Sequence, residues 1–261
     1  REAILEVHTR SVAIGDDVDL RTIARGTPGF SGAELRNLVN EAALIAVRSG
    51  HDAVTAADVD QARDRLMLGQ RQDSSILRDQ ERDRVAVHES GHAVVGGLTE
   101  HSDPVTKVTI LPSGRALGLT EQLPESEKRL LTRDEMEDQL AVMMGGRVAE
   151  RIVTGQLSSG AANDLARATQ LATRMVSEFG MSEHLGPVGY GQPDPSAFRK
   201  RPFAESTQRD VDHEVARVLR EAEATAEKLL GAHRDALDAL VDRLLEVDTV
   251  DGEVVYDLLG S

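Results

Sequence analysis

The chain contains the stretch Val87-His88-Glu89-Ser90-Gly91-His92-Ala93-Val94-Val95. If this stretch is helical, His88 and His92 are one turn apart and lie on one face, so both imidazoles can bind the same metal ion. Glu89 follows the first histidine, and its carboxylate can take a proton from a water molecule beside the metal. Two histidines leave such a site incomplete, so a third ligand must come from elsewhere in the chain.

The pattern H-E-x-x-H is typical of zinc peptidases. By itself it is a weak signal, because two solvated histidines four residues apart occur in many ordinary helices. Here apolar residues flank it on both sides, which predicts a buried helix. Ser90 and Gly91 have little bulk and leave room for another element to approach. The stretch therefore predicts a zinc site with His88 and His92 as ligands and Glu89 as the base.

Composition limits the alternatives. With 261 residues the chain is long enough for a sizeable core and for two domains. Its 30 basic and 45 acidic residues give a formal charge of -15, which argues against nucleic acid as a partner. Cysteine is absent, so a metal must be held by His, Asp or Glu, and a reducing compartment fits. With only 2 Tyr, 4 Phe and no Trp, the core must consist of Ala, Leu and Val, which favours packed helices.

Residues 1–70 are predicted to form a small helical unit. A short helix is expected from Leu20 to Ala24. The segment Ser31-Gly32-Ala33-Glu34 has the form of a capping box that begins the next helix, and Thr55 begins another. Residues 71–79 are polar and are predicted to be a linker between two domains.

Residues 80–261 are predicted to form a second domain, largely helical with a small β-hairpin. The helix that carries the two histidines is expected from about Asp79 to Leu98. Two strands are expected at Val105–Leu111 and Ala116–Leu123, around a turn at residues 112–115. The exposed edge of such a hairpin can pair with an extended peptide and hold it across a metal site.

Further helices are predicted from capping residues and apolar periodicity. Thr132 begins one that contains Gly145 and Gly146, which lower helix stability. We expect close packing at these glycines, with the helix of the two histidines as a candidate partner. The remaining helices are expected to begin near residues 158–164 and to cover Glu205–Leu230, Arg234–Glu246 and Glu253–Leu259, with a loop at 185–203.

The third metal ligand has two candidates. The extended pattern H-E-x-x-H-x-x-G-x-x-H fails, because position 98 is leucine. His101 lies beside a proline turn and is interpreted as a loop residue. Glu150 is in a Glu-Arg pair on a helix, and Asp164 is in the first turn of the next helix. Spacing alone does not decide between Glu150 and Asp164.

Several blocks of the sequence, in this order, resemble FtsH-type proteins, which are membrane-anchored, ATP-dependent zinc metalloproteases of the AAA+ class. Residues 26–35 and 40–44 resemble the lid subdomain of that family's AAA module. Residues 88–93 are similar to its H-E-A-G-H-A zinc motif, with Ser90 in place of the usual alanine. Similar blocks follow at residues 104–110, 114–118, 145–150, 159–164 and 180–187.

The resemblance implies a mainly α fold, with a helical AAA lid followed by a largely helical zinc peptidase domain. It also implies the third ligand, because the family's ligand is the aspartate of its A-x-N-D block, here Asp164. Zn²⁺ is then expected on His88, His92 and Asp164. Glu89 is expected to take a proton from the attacking water and to pass it to the leaving amine.

The resemblance also implies nucleotide contacts in the lid. Related AAA proteins contact adenine through a histidine and a Gly-Ala pair, which correspond here to His8, Gly32 and Ala33. The start of a capped helix explains Gly32 and Ala33 equally well. The sequence has no G-x-x-x-x-G-K-[ST] loop, so the core that binds ATP and Mg²⁺ is expected before residue 1, together with the family's transmembrane segments.

For the full-length protein, the resemblance implies a homo-hexamer that degrades unfolded, damaged and membrane proteins at the cytoplasmic face of the bacterial inner membrane. This part of it is expected to be soluble. Two other functions fit the residues. One is a non-catalytic ring-assembly or partner-binding module with a structural or vacant metal site. The other is a small-molecule hydrolase, which needs a closed pocket rather than a groove beside a strand edge.

Overall fold

The computed structural model describes residues 1–68, 78–112, 117–124, 130–190 and 204–260. Within these ranges the chain is mainly helical with one small antiparallel sheet, so the predicted fold class is confirmed. The predicted linker, the predicted hairpin turn and the predicted loop lie largely outside the described residues. None of the described helices combines the length and the apolar character that crossing a bilayer requires.

The first 68 residues form four helices. Ser31 caps the third helix, because its hydroxyl accepts a hydrogen bond from the Glu34 N–H while the Glu34 carboxylate accepts one from the Ser31 N–H. Gly50, with φ of 75°, ends that helix. The first helix has no side-chain cap and was not predicted. The bounds are α1 Glu2–Thr9, α2 Leu20–Arg25, α3 Gly32–Ser49 and α4 Ala56–Leu68.

The rest of the described chain contains six helices and three strands. The helix of the two histidines has the bounds that were predicted for it, and a short 3-10 turn at Ser159–Ala161 leads into α7. The bounds are α5 Asp79–Leu98, β1 Val105–Thr109, β2 Leu119–Gln122, α6 Arg133–Thr154, α7 Ala162–Ser177, α8 Glu205–Ala232, α9 Arg234–Val247, β3 Thr249–Asp251 and α10 Gly252–Leu259.

The sheet has the strand order β2-β1-β3, with both pairs antiparallel. Val108 in the central strand is opposite Thr120 of β2 on one side and Val250 of β3 on the other. The predicted hairpin is present, but both strands are shorter than expected. β3 was not predicted, and its pairing with β1 leaves β2 as an edge strand within the described part of the chain.

Buried apolar side chains form separate cores in the two parts of the chain. The clusters of α1–α4 contain residues from Leu5 to Ala62, and the large cluster contains residues from Val85 to Val255. An ion pair joins the two parts, since Nη2 of the buried Arg63 in α4 lies 2.8 Å from Oε1 of the partly buried Glu121 in β2. The first part therefore contacts the second through the edge strand.

Helices α5 and α6 approach each other at two glycines. A Cβ atom placed on Gly145 would lie 2.6 Å from the carbonyl oxygen of Gly91, and one placed on Gly146 would lie 2.6 Å from the ring of His88. Such distances are shorter than real Cβ contacts, so neither position has room for a side chain. The expected close packing of Gly145 and Gly146 against α5 is therefore present.

We expect Gly145→Ala to lower the free energy of unfolding by about 3 kcal/mol, because the methyl group must push the two helix backbones apart. Gly231→Ala is a matched control in α8, where an added Cβ has no neighbour within 4 Å. That change should raise stability by about 0.5 kcal/mol through helix propensity. Urea unfolding monitored by circular dichroism measures both. Equal stability of the two variants would contradict the close contact.

Candidate metal centre

Helix α5 presents two imidazoles to one point. His88 and His92 are both buried, with 9% of each residue exposed, and their Nε2 atoms lie 3.1 Å apart. The rings stand nearly edge to face, with an interplanar angle of 81°. The four-residue spacing read from the sequence thus brings the two nitrogens together.

Helix α6 fixes the orientation of both rings. Nδ1 of His88 donates to Oε1 of Glu150 at 2.8 Å, and Nδ1 of His92 donates to the carbonyl oxygen of Val142 at 2.7 Å. A carbonyl oxygen can only accept, so Nδ1 of His92 carries a proton and its Nε2 is left with a lone pair. Imidazoles held in this way are oriented to bind a metal through Nε2.

Asp164 supplies an oxygen from the first turn of α7. Its Oδ2 atom lies 3.3 Å from Nε2 of His88 and 3.5 Å from Nε2 of His92. Ligand atoms of these three residues all lie within 4.8 Å of one another, and no other group of this kind occurs in the described part of the chain. Two imidazole nitrogens and one carboxylate oxygen suit a catalytic zinc site.

Glu150 lies on the far side of His88. One percent of this residue is exposed, and its carboxylate accepts hydrogen bonds from His88 Nδ1 and from the amide and hydroxyl of Ser158. Glu150 and Asp164, the two candidates for the third ligand, thus lie on different sides of His88. Asp164 faces the Nε2 atoms, whereas Glu150 orients one ring from behind and anchors the turn before α7.

The electrostatics of the site favour a bound cation. Burial lowers the pKa of His88, but hydrogen bonds to Asp164 and Glu150 outweigh it and raise that pKa to about 9. Burial would raise the pKa of Asp164, yet its hydrogen bond to His88 and the positive charge of that ring hold it well below its ordinary value. Without a metal, a proton on His88 supplies the positive charge that compensates the neighbouring carboxylates. The residues therefore fit a metal cation in the same place.

Glu89 lies beside the two histidines on α5. Glu89 is 8% exposed. Burial raises the pKa of its carboxyl group, although His92, His88 and the Thr120 hydroxyl oppose the rise. Thr120 of β2 places its Oγ1 atom 2.9 Å from Oε2 of Glu89. Neither Thr120 nor Val142 was predicted from the sequence, since no motif distinguishes an ordinary strand threonine or a main-chain carbonyl.

The other candidate residues lie elsewhere. His8 is in the last turn of α1, and Gly32 and Ala33 form the first turn of α3 behind the Ser31 cap. Their nucleotide contacts stay a prediction. His101 follows α5 in a turn, where its Nδ1 atom lies 2.9 Å from Asp138.

Comparison with known families agrees with this arrangement. Residues 75–258 match peptidase family M41. The chain belongs to peptidase family M41. Residues 17–61 match the AAA+ lid domain. The M41 match covers the described β-sheet and helices α5 to α9, and it contains all the residues that surround the two histidines.

Relatives of this M41 member are similar over the whole chain. Proteins named ATP-dependent zinc metalloprotease FtsH are 52% identical in Acidothermus cellulolyticus and 53% identical in Acidimicrobium ferrooxidans, over 100% of this chain and 40% of the relative in each case. FtsH 4 of Sorangium cellulosum is 47% identical over 100% of this chain and 42% of its own length. The resemblance inferred from the motifs is thus confirmed. The chain spans about two fifths of the length of these curated relatives.

Zinc affinity should depend on pH through His88. Zinc must displace the proton from a histidine whose pKa is raised to about 9, so protons compete with zinc below that pH. We expect the apparent dissociation constant to fall roughly tenfold per pH unit from about pH 7 and to level off near pH 9. Competition with a chromophoric chelator at each pH measures the dissociation constant for zinc. A dissociation constant independent of pH would contradict the proton on His88.

Asp164→Asn and Glu150→Gln should separate a ligand from the residue that orients one. We expect Asp164→Asn to weaken zinc binding by more than about 100-fold, because an amide oxygen replaces a charged ligand. Glu150→Gln should weaken it by about 10- to 100-fold, since the ring loses only its oriented hydrogen bond. Metal analysis after dialysis gives both values. If only the Glu150 variant lost zinc, Glu150 and not Asp164 would be identified as the third ligand.

Proposed function

We propose that residues 80–261 are a zinc-dependent endopeptidase domain. The observation that carries the proposal is the convergence of His88, His92 and Asp164, with a buried glutamate one residue after the first histidine. Membership of a peptidase family and the names of the relatives, which are zinc metalloproteases, support it.

His88, His92 and Asp164 would hold Zn²⁺. When bound, zinc supplies Lewis-acid chemistry, which makes water more acidic and polarises a carbonyl group. Glu89 takes the proton of the water that attacks the scissile carbonyl and later delivers it to the nitrogen of the leaving amine, so that one water is consumed for each peptide bond. The raised pKa of Glu89 suits this role, because a carboxylate that binds a proton more readily than usual is a stronger general base.

The substrate is proposed to bind as an extended segment along the edge strand β2. Among the described residues, β2 pairs with β1 on one side and is the terminal strand of the sheet. Its Thr120 contacts Glu89, so a peptide added to this edge would lie next to the base. Only an unfolded segment can add to a sheet edge as a strand, which favours unfolded or damaged proteins as substrates.

For the full-length protein, we propose an ATP-dependent protease that is a homo-hexamer anchored in a membrane. Residues 1–70 would be the AAA lid, residues 71–79 the linker and residues 80–261 the peptidase domain. His8, Gly32 and Ala33 would contribute to nucleotide binding, with ATP and Mg²⁺ held by a part of the protein outside this chain. The proposed location is the cytoplasmic face of a bacterial inner membrane, where unfolded, damaged and membrane proteins would be degraded. The family names of the relatives and the lid match support these proposals.

The competing functions predict different behaviour. A non-catalytic assembly module would bind zinc without hydrolysing protein. A small-molecule hydrolase would cleave small esters or amides but leave an unfolded protein such as casein intact.

Glu89→Gln should abolish casein hydrolysis and leave zinc content unchanged, because the amide cannot accept the proton while the three ligands remain. A fall in kcat of at least about 100-fold is expected. Hydrolysis of labelled casein and metal analysis on the same sample measure the two quantities. Removal of zinc with a chelator should stop casein hydrolysis by the unsubstituted protein, and added zinc should restore that hydrolysis. Persisting cleavage in the Glu89 variant would remove Glu89 from the role of base.

A further inference from the structure

We propose that Thr120 is a positioning residue for Glu89, which holds the carboxylate of that base in the orientation required for proton transfer. The inference rests on the proposed function, in which Glu89 is the base. Thr120 lies in β2 and contacts Glu89 from outside α5.

One hydroxyl group contacts both ends of the glutamate. Oγ1 of Thr120 lies 2.9 Å from the side-chain Oε2 atom of Glu89 and 3.0 Å from its main-chain oxygen. Both distances are within hydrogen-bonding range, and the hydroxyl donates its one hydrogen to either oxygen. Because the two acceptors belong to the same residue, the contact fixes the direction in which the side chain leaves the helix.

The sheet fixes the position of this hydroxyl. Thr120 is opposite Val108 of the central strand, and Val108 is fully buried and is itself paired with Val250 on its other side. A residue held in this register moves less than one in a loop. The position of the carboxylate is thus tied to the core of the sheet.

A second contact from the same strand segment restricts Glu89 further. A Cβ atom on Gly118 would lie 2.8 Å from Cγ and 2.9 Å from Oε1 of Glu89. Gly118 directly precedes β2 and is two residues before Thr120. The glutamate side chain therefore lies against the main chain at Gly118 and is held at its end by Thr120.

Positioning has a chemical reason. A glutamate has three side-chain torsions, and a general base must stay within hydrogen-bond reach of the proton that it takes. A small displacement of a catalytic group lowers the rate without preventing substrate binding. If the substrate adds to the edge of β2, the same strand sets the position of both the peptide and the base. Loss of the hydroxyl should then lower kcat more than it changes KM.

The test compares Thr120→Val with Thr120→Ser in the zinc-loaded chain. Valine keeps the shape of the side chain and the preference for a strand but removes the hydroxyl, whereas serine keeps the hydroxyl. We expect Thr120→Val to lower kcat for labelled casein by about 10- to 100-fold with KM within about twofold, and Thr120→Ser to retain kcat within about threefold. Thr120→Ala should behave like Thr120→Val and takes its place if valine disturbs the strand.

Two measurements do not depend on activity. Zinc content should be the same in every variant. Crystal structures should show one orientation of the Glu89 carboxylate in the unsubstituted protein and in Thr120→Ser, and a displaced or multiple orientation in Thr120→Val. Thr225→Val is the matched control, because it removes from α8 a hydroxyl that donates to the main-chain oxygen of Glu221 in the same helix, away from the site. It should leave kcat and KM unchanged.

The outcomes separate this inference from the proposed function. Full activity of Glu89→Gln would overturn the role of Glu89 as base and this inference with it. Inactive Glu89→Gln together with Thr120→Val that keeps kcat within about twofold would overturn the positioning role alone. A fall in kcat that is equal in the serine and valine variants would also overturn it, since the hydroxyl would then not be the group that matters.

Discussion

The direct contact between the backbones of α5 and α6 is the constraint on which the site depends. At Gly91 and Gly145 no side chain separates the two helices. Only at this short distance can the carbonyl oxygen of Val142 and the carboxylate of Glu150, both on α6, reach the Nδ1 atoms of the two histidines. The glycines cost helix propensity, and that cost is offset by the oriented ring nitrogens that the close approach permits.

The contact also brings several carboxylates close to the two imidazoles, and a cation between them would offset that negative charge. With Nδ1 of both rings directed at acceptors, the Nε2 atoms face each other at 3.1 Å with a carboxylate oxygen beside them. The carboxyl groups of Glu89, Glu150 and Asp164 surround these two imidazoles. A proton on His88 compensates one negative charge, whereas a divalent cation would compensate two and could be held by His88, His92 and Asp164 together. The same features that orient the ligands therefore favour metal over proton.

Local signals in the sequence predicted most of the helices but not the long-range pairings. The α5 bounds were predicted correctly, and the capping boxes at Ser31 and Thr132 correctly marked the starts of α3 and α6. β3 is three residues long and pairs with a strand about 140 residues away, so no local pattern predicts it. Spacing left Glu150 and Asp164 open for the same reason. Both are carboxylates on helices, and only the packing of those helices decides which ring atom each one faces.

β2 joins the two parts of the molecule because alternate residues of a strand point to opposite sides. On one side, Thr120 contacts Glu89, and Gln122 packs at Gly96, where an added Cβ would lie 2.9 Å from its Nε2 atom. On the other side, Glu121 forms its ion pair with Arg63 of α4. Arg63 is buried and the Glu121 side chain is 18% exposed, so the ion pair holds the strand against α4 from that side. One peptide unit thus separates Glu121, which contacts α4, from Thr120, which contacts Glu89.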